Sequence, residues 1–260
     1  MDILTIIYLV LFFVYGLLIG SFLNVCIYRI PLNQTVVTTP SHCMSCNHKL
    51  AWYDLFPLFS YLFLGGKCRY CKTKISMQYP VIEGLNALLY VLTFLMVGVD
   101  TVQRLVVCLL ICLLNSALIV LSVIDIRTQE IPFKINVFIF VLAVIMVIID
   151  RANWLEHIIG FFIISVPFFV LMLFNAMGGG DMKLYAVIGL FMGWRLTLIS
   201  LVVASIVGAV FSIFLVACKK ADEGGKTRIP FGPFIAISVP VALFWGYDII
   251  NWYITTFFIV

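Results

Sequence analysis

Residues 184–218 read LYAVIGLFMGWRLTLISLVVASIVGAVFSIFLVAC, an apolar run interrupted by a single charge, Arg195. One helix of that length, rising 1.5 Å per residue, would reach about 52 Å, whereas the hydrocarbon layer of a bilayer is only ~30 Å thick. The run therefore splits at Gly193-Trp194-Arg195 into two passes, the first unusually short. The rest of the chain agrees with a membrane setting. Of its 260 residues, 64% are hydrophobic and only 11% charged, with a mean hydropathy of +1.18; a soluble domain carries about 25% charged residues. The apolar segments do not alternate with polar residues, which excludes a transmembrane barrel.

Working outward, further spans are expected at about 3–27, 81–99, 104–124, 134–149, 157–177 and 234–258. The fold class is an all-α polytopic membrane protein of about eight transmembrane helices, with a small cytoplasmic four-Cys insertion after the first. Three regions follow: a first transmembrane helix at 1–27, a cytoplasmic zinc-binding loop domain at 28–80, and a membrane-embedded core at 81–260. The N-terminal stretch has no basic leader and no small-residue cleavage site, so it reads as a retained span. With the 28–80 segment placed inside, thirteen of the sixteen Lys and Arg residues face the cytoplasm, and only Arg104, Arg151 and Arg195 lie outside. That asymmetry is what the positive-inside rule requires. A single pass over 184–218 would strand the basic loop KKADEGGKTR (219–228) outside. The net charge of +4 is small and says little about nucleic acid; no nucleic-acid partner is expected, and membrane lipids surround the spans.

This topology returns two acidic stretches to the inner face: DIRTQEIPFK (125–134) and GGGDMK (178–183). Asp125 ends one span and Asp181 begins another, so the two carboxylates can meet. Two carboxylates in one pocket do not ionise together easily, and the pair holds one proton between them. Such a pair supports peptide hydrolysis, with one Asp taking a proton from water and the other hydrogen-bonding to the scissile carbonyl. Gly178 and Gly180 give the loop backbone freedom and close access. The plain alternative is that either Asp merely marks a helix end, and a bare G-x-G-D is a weak pattern. Lys183 reads first as a snorkelling anchor, although it could bias Asp181 toward ionisation. Glu130 reads as solvated. Glu83, just inside the span that begins at YPVIEG, needs a partner and is a candidate functional residue.

Cys43, Cys46, Cys68 and Cys71 form two C-x-x-C knuckles, CMSC and CRYC, with the spacing of a closed structural zinc site. Two disulfides are the alternative, and a cytoplasmic location excludes it because thiols stay reduced there. His42 and His48 flank the first knuckle, but four thiolates suffice. Cys26, Cys108, Cys112 and Cys218 read as packing residues.

GSFLNVCIYRIP (20–31), the twin knuckles, LAWYDLFPLFSYLFLGGKCRYC, ISMQYPVIE, DIRTQEIP, GGGDMKL and IPFGPFIA (229–236) occur in the order found in type IV prepilin peptidases, and the chain resembles that family over nearly its whole length. The resemblance implies an intramembrane aspartic endopeptidase of the G-x-G-D kind, with Asp125 and Asp181 as the catalytic pair. It implies prepilin or pseudopilin substrates of a type IV pilus, protein-secretion or DNA-uptake system, cut after Gly at the cytoplasmic face of a bacterial inner membrane. It also implies N-methylation of the new terminus with S-adenosylmethionine, an activity associated with members that carry the cysteine loop. Met44 stands where the family often has Pro, and Lys67 where it often has Arg. No glycine-rich strand-to-helix cofactor loop is present, so S-adenosylmethionine contacts are unassigned, as is the oligomeric state. The rival readings are a transporter, a non-catalytic pilin-assembly factor, and a peptidase without methylation. A transporter would favour internal repeats and midplane carboxylates, and neither is found.

Overall fold

A computed structural model describes residues 3–37, 40–174, 178–218 and 229–257. The basic loop at 219–228 and residues 175–177 before the glycine run lie outside the described residues. The major helices are α1 (Ile3–Arg29), α3 (Gln78–Val97), α4 (Val102–Thr128), α5 (Phe133–Ile149), α6 (Trp154–Leu173), α7 (Gly179–Met192), α8 (Trp194–Ala217) and α9 (Gly232–Phe257), with a short α2 (Phe59–Phe63) in the loop after α1. Among the described residues there is no strand, only two isolated bridges in that loop.

Among the described residues, six helical segments are long and apolar enough to cross a membrane: α1, α3, α4, α8, α9, and α6 together with the 3-10 turn before it. The helices expected from sequence, about eight, are α1 and α3–α9; of these, α5 has 17 residues and α7, expected to be short, has 14. At 1.5 Å per residue these reach about 26 and about 21 Å. Their ends are set by backbone chemistry. Pro132 is the N-cap of α5. α7 starts from Gly178 and stops at Gly193, whose φ of +77° suits glycine and turns the chain into α8. That turn is the break expected at Gly193-Trp194-Arg195.

The chain divides into two compact units, Met1–Val120 and Leu121–Val260. In the first, α1 and α3 pack through small residues. A Cβ added to Gly16 would lie 2.5 Å from Ala87 Cα, and one on Gly20 would lie 2.7 Å from Glu83 Cα. This is the small-xxx-small contact by which helices approach when lipid offers no hydrophobic drive. Asn86 Nδ2 donates to the Gly16 carbonyl at 2.7 Å, and Ser116 Oγ donates to Asn86 Oδ1 at 2.8 Å. Without water in the hydrocarbon, these groups have to find one another.

In the second unit, α6 and α7 cross at Gly160 and Gly189, where a Cβ on either would collide with the other's carbonyl oxygen. α8 and α9 are joined by a buried hydrogen bond of 2.8 Å between Ser200 Oγ and Ser238 Oγ. These contacts hold α7 against α6 and α9 against α8, and the candidate site lies at the starts of α7 and α9.

Candidate active site

Asp125 lies inside α4, not at its end. The helix runs on through Ile126-Arg127-Thr128, and Gln129, at φ +54°, closes it by donating its N–H to the Asp125 carbonyl at 2.9 Å. The Asp125 side chain is buried, 5% exposed. Its Oδ2 accepts a hydrogen bond of 2.8 Å from the backbone N–H of Gly232, the first residue of α9. First-turn amides have no partner within their own helix, and here a carboxylate from another helix supplies one.

Asp181 is the third residue of α7, after the N-cap Gly178. A Cβ added to Gly178 would sit 3.5 Å from Asp181 Oδ2, so the carboxylate reaches back over the start of its own helix. The two carboxylates are near enough to interact electrostatically. The structure therefore brings together the two aspartates singled out from sequence, with α5 and α6 lying between them in the chain.

The glycine run adopts no unusual backbone conformation, with Gly178 at φ −73°. Gly179 and Gly180 are in the first turn of the helix, and neither has a positive φ. Their contribution is close approach: a Cβ on Gly180 would lie 3.2 Å from Ile131 Cβ, in the DIRTQEIP segment, and one on Gly179 would lie 3.0 Å from Met172 Sδ. Lys183 and Glu130 are exposed.

Glu83 is buried in the second turn of α3, with its Oε2 accepting the Leu58 N–H at 2.8 Å and a further hydrogen bond to Ser21. Leu58 has φ +58°, a region that a branched side chain enters only when its surroundings hold it there. Beside it, Asn24 Nδ2 donates to the Gly20 and Tyr79 carbonyls, and Gln78 Nε2 donates to Asn24 Oδ1. Glu83 thus braces the loop after α1 against α1 and α3. Sequence reading flagged Glu83 but missed Leu58, Asn24 and Gln78. The family-like stretches GSFLN, FPLFSY and ISMQYPVIE were the available signal.

The four Sγ atoms of Cys43, Cys46, Cys68 and Cys71 all lie within 4.8 Å of one another. The knuckles are near copies. In the first, Cys43 N–H donates to the His48 carbonyl and Asn47 turns at φ +54°; in the second, Cys68 N–H donates to the Thr73 carbonyl and Lys72 turns at φ +61°. Four thiolates at about 2.3 Å from a tetrahedral metal are about 3.8 Å apart, and Cys43 Sγ and Cys71 Sγ are separated by 3.8 Å. The group can hold a metal ion. The Thr73 hydroxyl and amide draw Cys71 down to about 6, and the Cys46 and Ser45 amides hold Cys43 below the usual thiol range. Asp54 ties the segment before α2 to the second knuckle: its Oδ1 accepts from Arg69 Nε at 2.7 Å, and its Oδ2 from the Tyr70 hydroxyl at 3.2 Å.

Residues 14–97 match the Bacterial Peptidase A24 N-terminal domain, and residues 112–213 match the Type IV leader peptidase family. The chain is 36% identical to a prepilin leader peptidase/N-methyltransferase of Vibrio cholerae serotype O1, over 92% of this chain and 97% of that one. It is 30% identical to proteins of the same name from Pseudomonas aeruginosa, over 92% and 91%, and from Bacillus subtilis, over 93% and 96%. No solved structure matches the chain.

Proposed function

The chain belongs to the prepilin leader peptidase/N-methyltransferase family, and from that premise we propose that it is a bifunctional membrane enzyme that removes the leader of prepilins or pseudopilins and methylates the new N-terminus. The observation that carries the peptidase half is the meeting of Asp125, in the last turns of α4, with Asp181, in the first turn of α7. One aspartate takes a proton from a water molecule as that water attacks the scissile carbonyl. The other donates a hydrogen bond to the carbonyl oxygen, and the proton then passes to the departing amine. The substrate backbone has to be extended at the cut, because a helical peptide bond is enclosed by its own turn. The absence of side chains at Gly178 and Gly180 would leave the backbone beside Asp181 open to that approach.

Both aspartates and the cysteine loop lie on the cytoplasmic side of the bacterial inner membrane. Support comes from the basic residues at 29–74 and around Asp125 and Asp181, which the positive-inside rule places there. Lys183 anchors α7 at the interface. Zinc is the metal we assign to Cys43, Cys46, Cys68 and Cys71; a four-thiolate site is closed and structural. Zinc there would clip together a loop of about 50 residues with little core of its own. S-adenosylmethionine is the methyl donor and a co-substrate, and Glu83 with its Leu58 and Ser21 contacts holds the loop against α1 and α3 for that half of the chemistry.

Intact-mass analysis of a prepilin incubated with the purified enzyme and S-adenosylmethionine tests the whole reading. Loss of the leader and gain of one methyl group are expected, and Asp181→Asn should leave the substrate whole. Cleavage by Asp181→Asn at the normal rate would remove the aspartic mechanism.

A further inference from the structure

The contact between Gly232 and Asp125 joins residues far apart in the chain and is absorbed by none of the roles above. The Gly232 N–H can only donate, so Asp125 Oδ2, 2.8 Å away, has to accept. That contact occupies one lone pair of Oδ2 and fixes the plane of the carboxylate, which leaves both lone pairs of Oδ1 for a proton or a water. The contact also leaves no room for a side chain: a Cβ at position 232 would fall 2.5 Å from Asp125 Oδ2, 3.1 Å from Asp125 Cγ and 3.0 Å from Leu121 Cδ2. Gly232 has no positive φ, so the backbone conformation alone does not call for glycine. What demands it is the carboxylate.

We propose that Gly232 is a positioning residue of the peptidase site, whose amide clamps one oxygen of Asp125 so that the other is aimed at the reacting water or carbonyl. This rests on the reading of Asp125 as half of the catalytic pair. The α9 start thereby becomes a third component of a site otherwise made from α4 and α7. Pro233 follows at once, at a helix position where proline's fixed φ fits and its missing N–H costs nothing. Together, Gly232 and Pro233 leave the Gly232 N–H directed at the aspartate.

Gly232→Ala tests the clamp in the full-length enzyme, with Gly246→Ala as the packing control. Gly246 is also on α9, and its added Cβ would press on Leu196 Cδ2 at 2.6 Å, away from the site. Prepilin cleavage by Gly232→Ala is expected to lose about 100-fold in kcat, the scale of a lost preorganised donor or a misplaced group, with KM within about threefold. Gly246→Ala should keep kcat within about threefold. Equal loss in both variants would mean general damage to α9 and would overturn the proposal, as would a normal kcat in Gly232→Ala.

Thermal melting covers the case in which Gly232→Ala folds poorly. Asp125→Ala removes the oxygen that the new Cβ would strike, so the melting temperature lost in Gly232→Ala should be at least half restored in the double variant. No restoration would overturn the clamp. Asp125→Asn tests the underlying premise separately. Its retention of cleavage would sink the catalytic pair, whereas a dead Asp125→Asn beside a fully active Gly232→Ala would sink only the positioning role.

Discussion

Asparagine in place of Asp125 or Asp181 keeps the size of the side chain and removes its capacity to exchange a proton. Each variant should lower kcat for prepilin cleavage by about 10³-fold, within the range of general acid–base catalysis, while size-exclusion behaviour in detergent stays that of the wild type. Asp54 offers a contrast outside the membrane. Its carboxylate is held below the ordinary range: burial would raise it, but hydrogen bonds from Arg69, the Ala51 amide and Tyr70 outweigh that. A depressed native value means the contact contributes fully at neutral pH and is lost only as pH falls below about 4. Asp54→Asn should therefore loosen the loop by about 1 kcal/mol at pH 7, read as faster proteolysis within 40–75. The aspartates were legible in the sequence because their motifs are local. Gly232 was not legible as a partner of Asp125, because its contact exists only once α4 and α9 are packed.

Helix extents in the sequence follow from runs of apolar residues, and most bounds came within a few residues. The run at 104–124 was read too short, since Asp125, Arg127 and Thr128 are polar yet continue α4. Propensity and burial of Asp125 overrode the hydropathy pattern at that end. The glycine pair at 160 and 189 looked like ordinary apolar filler, and only the crossing of α6 and α7 gives it meaning. Gly160→Leu should cost about 1–3 kcal/mol, seen as a lower melting temperature in detergent, with cleavage falling as α7 shifts. In the loop, Cys71→Ser breaks a four-thiolate set. Elemental analysis should find about one zinc per wild-type chain and much less in the variant, with loop proteolysis rising in step.

Across the whole molecule, the alternation of charge predicts sidedness. Single cysteines placed at Asp100 and Asn153, in a background lacking the native thiols, should react with an impermeant maleimide added to intact cells. One at Gln129 should react only after lysis. Labelling at Gln129 in intact cells would invert the topology and move the site to the other face. The sequence alone counted about eight passes, and eight major helices stand there among the described residues. The short reach of α7 was legible in the break at Gly193, whereas that of α5 was not, because apolar character registers the presence of a helix more clearly than its reach.

That shortness acts as a gauge of depth. α7 rises about 21 Å. Set with Gly193 at one interface, its opposite end, where Asp181 is, would fall short of a ~30 Å hydrocarbon layer by about 9 Å, a gap that the Lys183 side chain would bridge by snorkelling. A peptide can be cut there only if its polar leader dips that far below the surface before its apolar stretch begins. The enzyme would then select by register: moving the start of a substrate's apolar segment by one helical turn, about 5.4 Å, carries the scissile bond out of reach even when every flanking residue is unchanged.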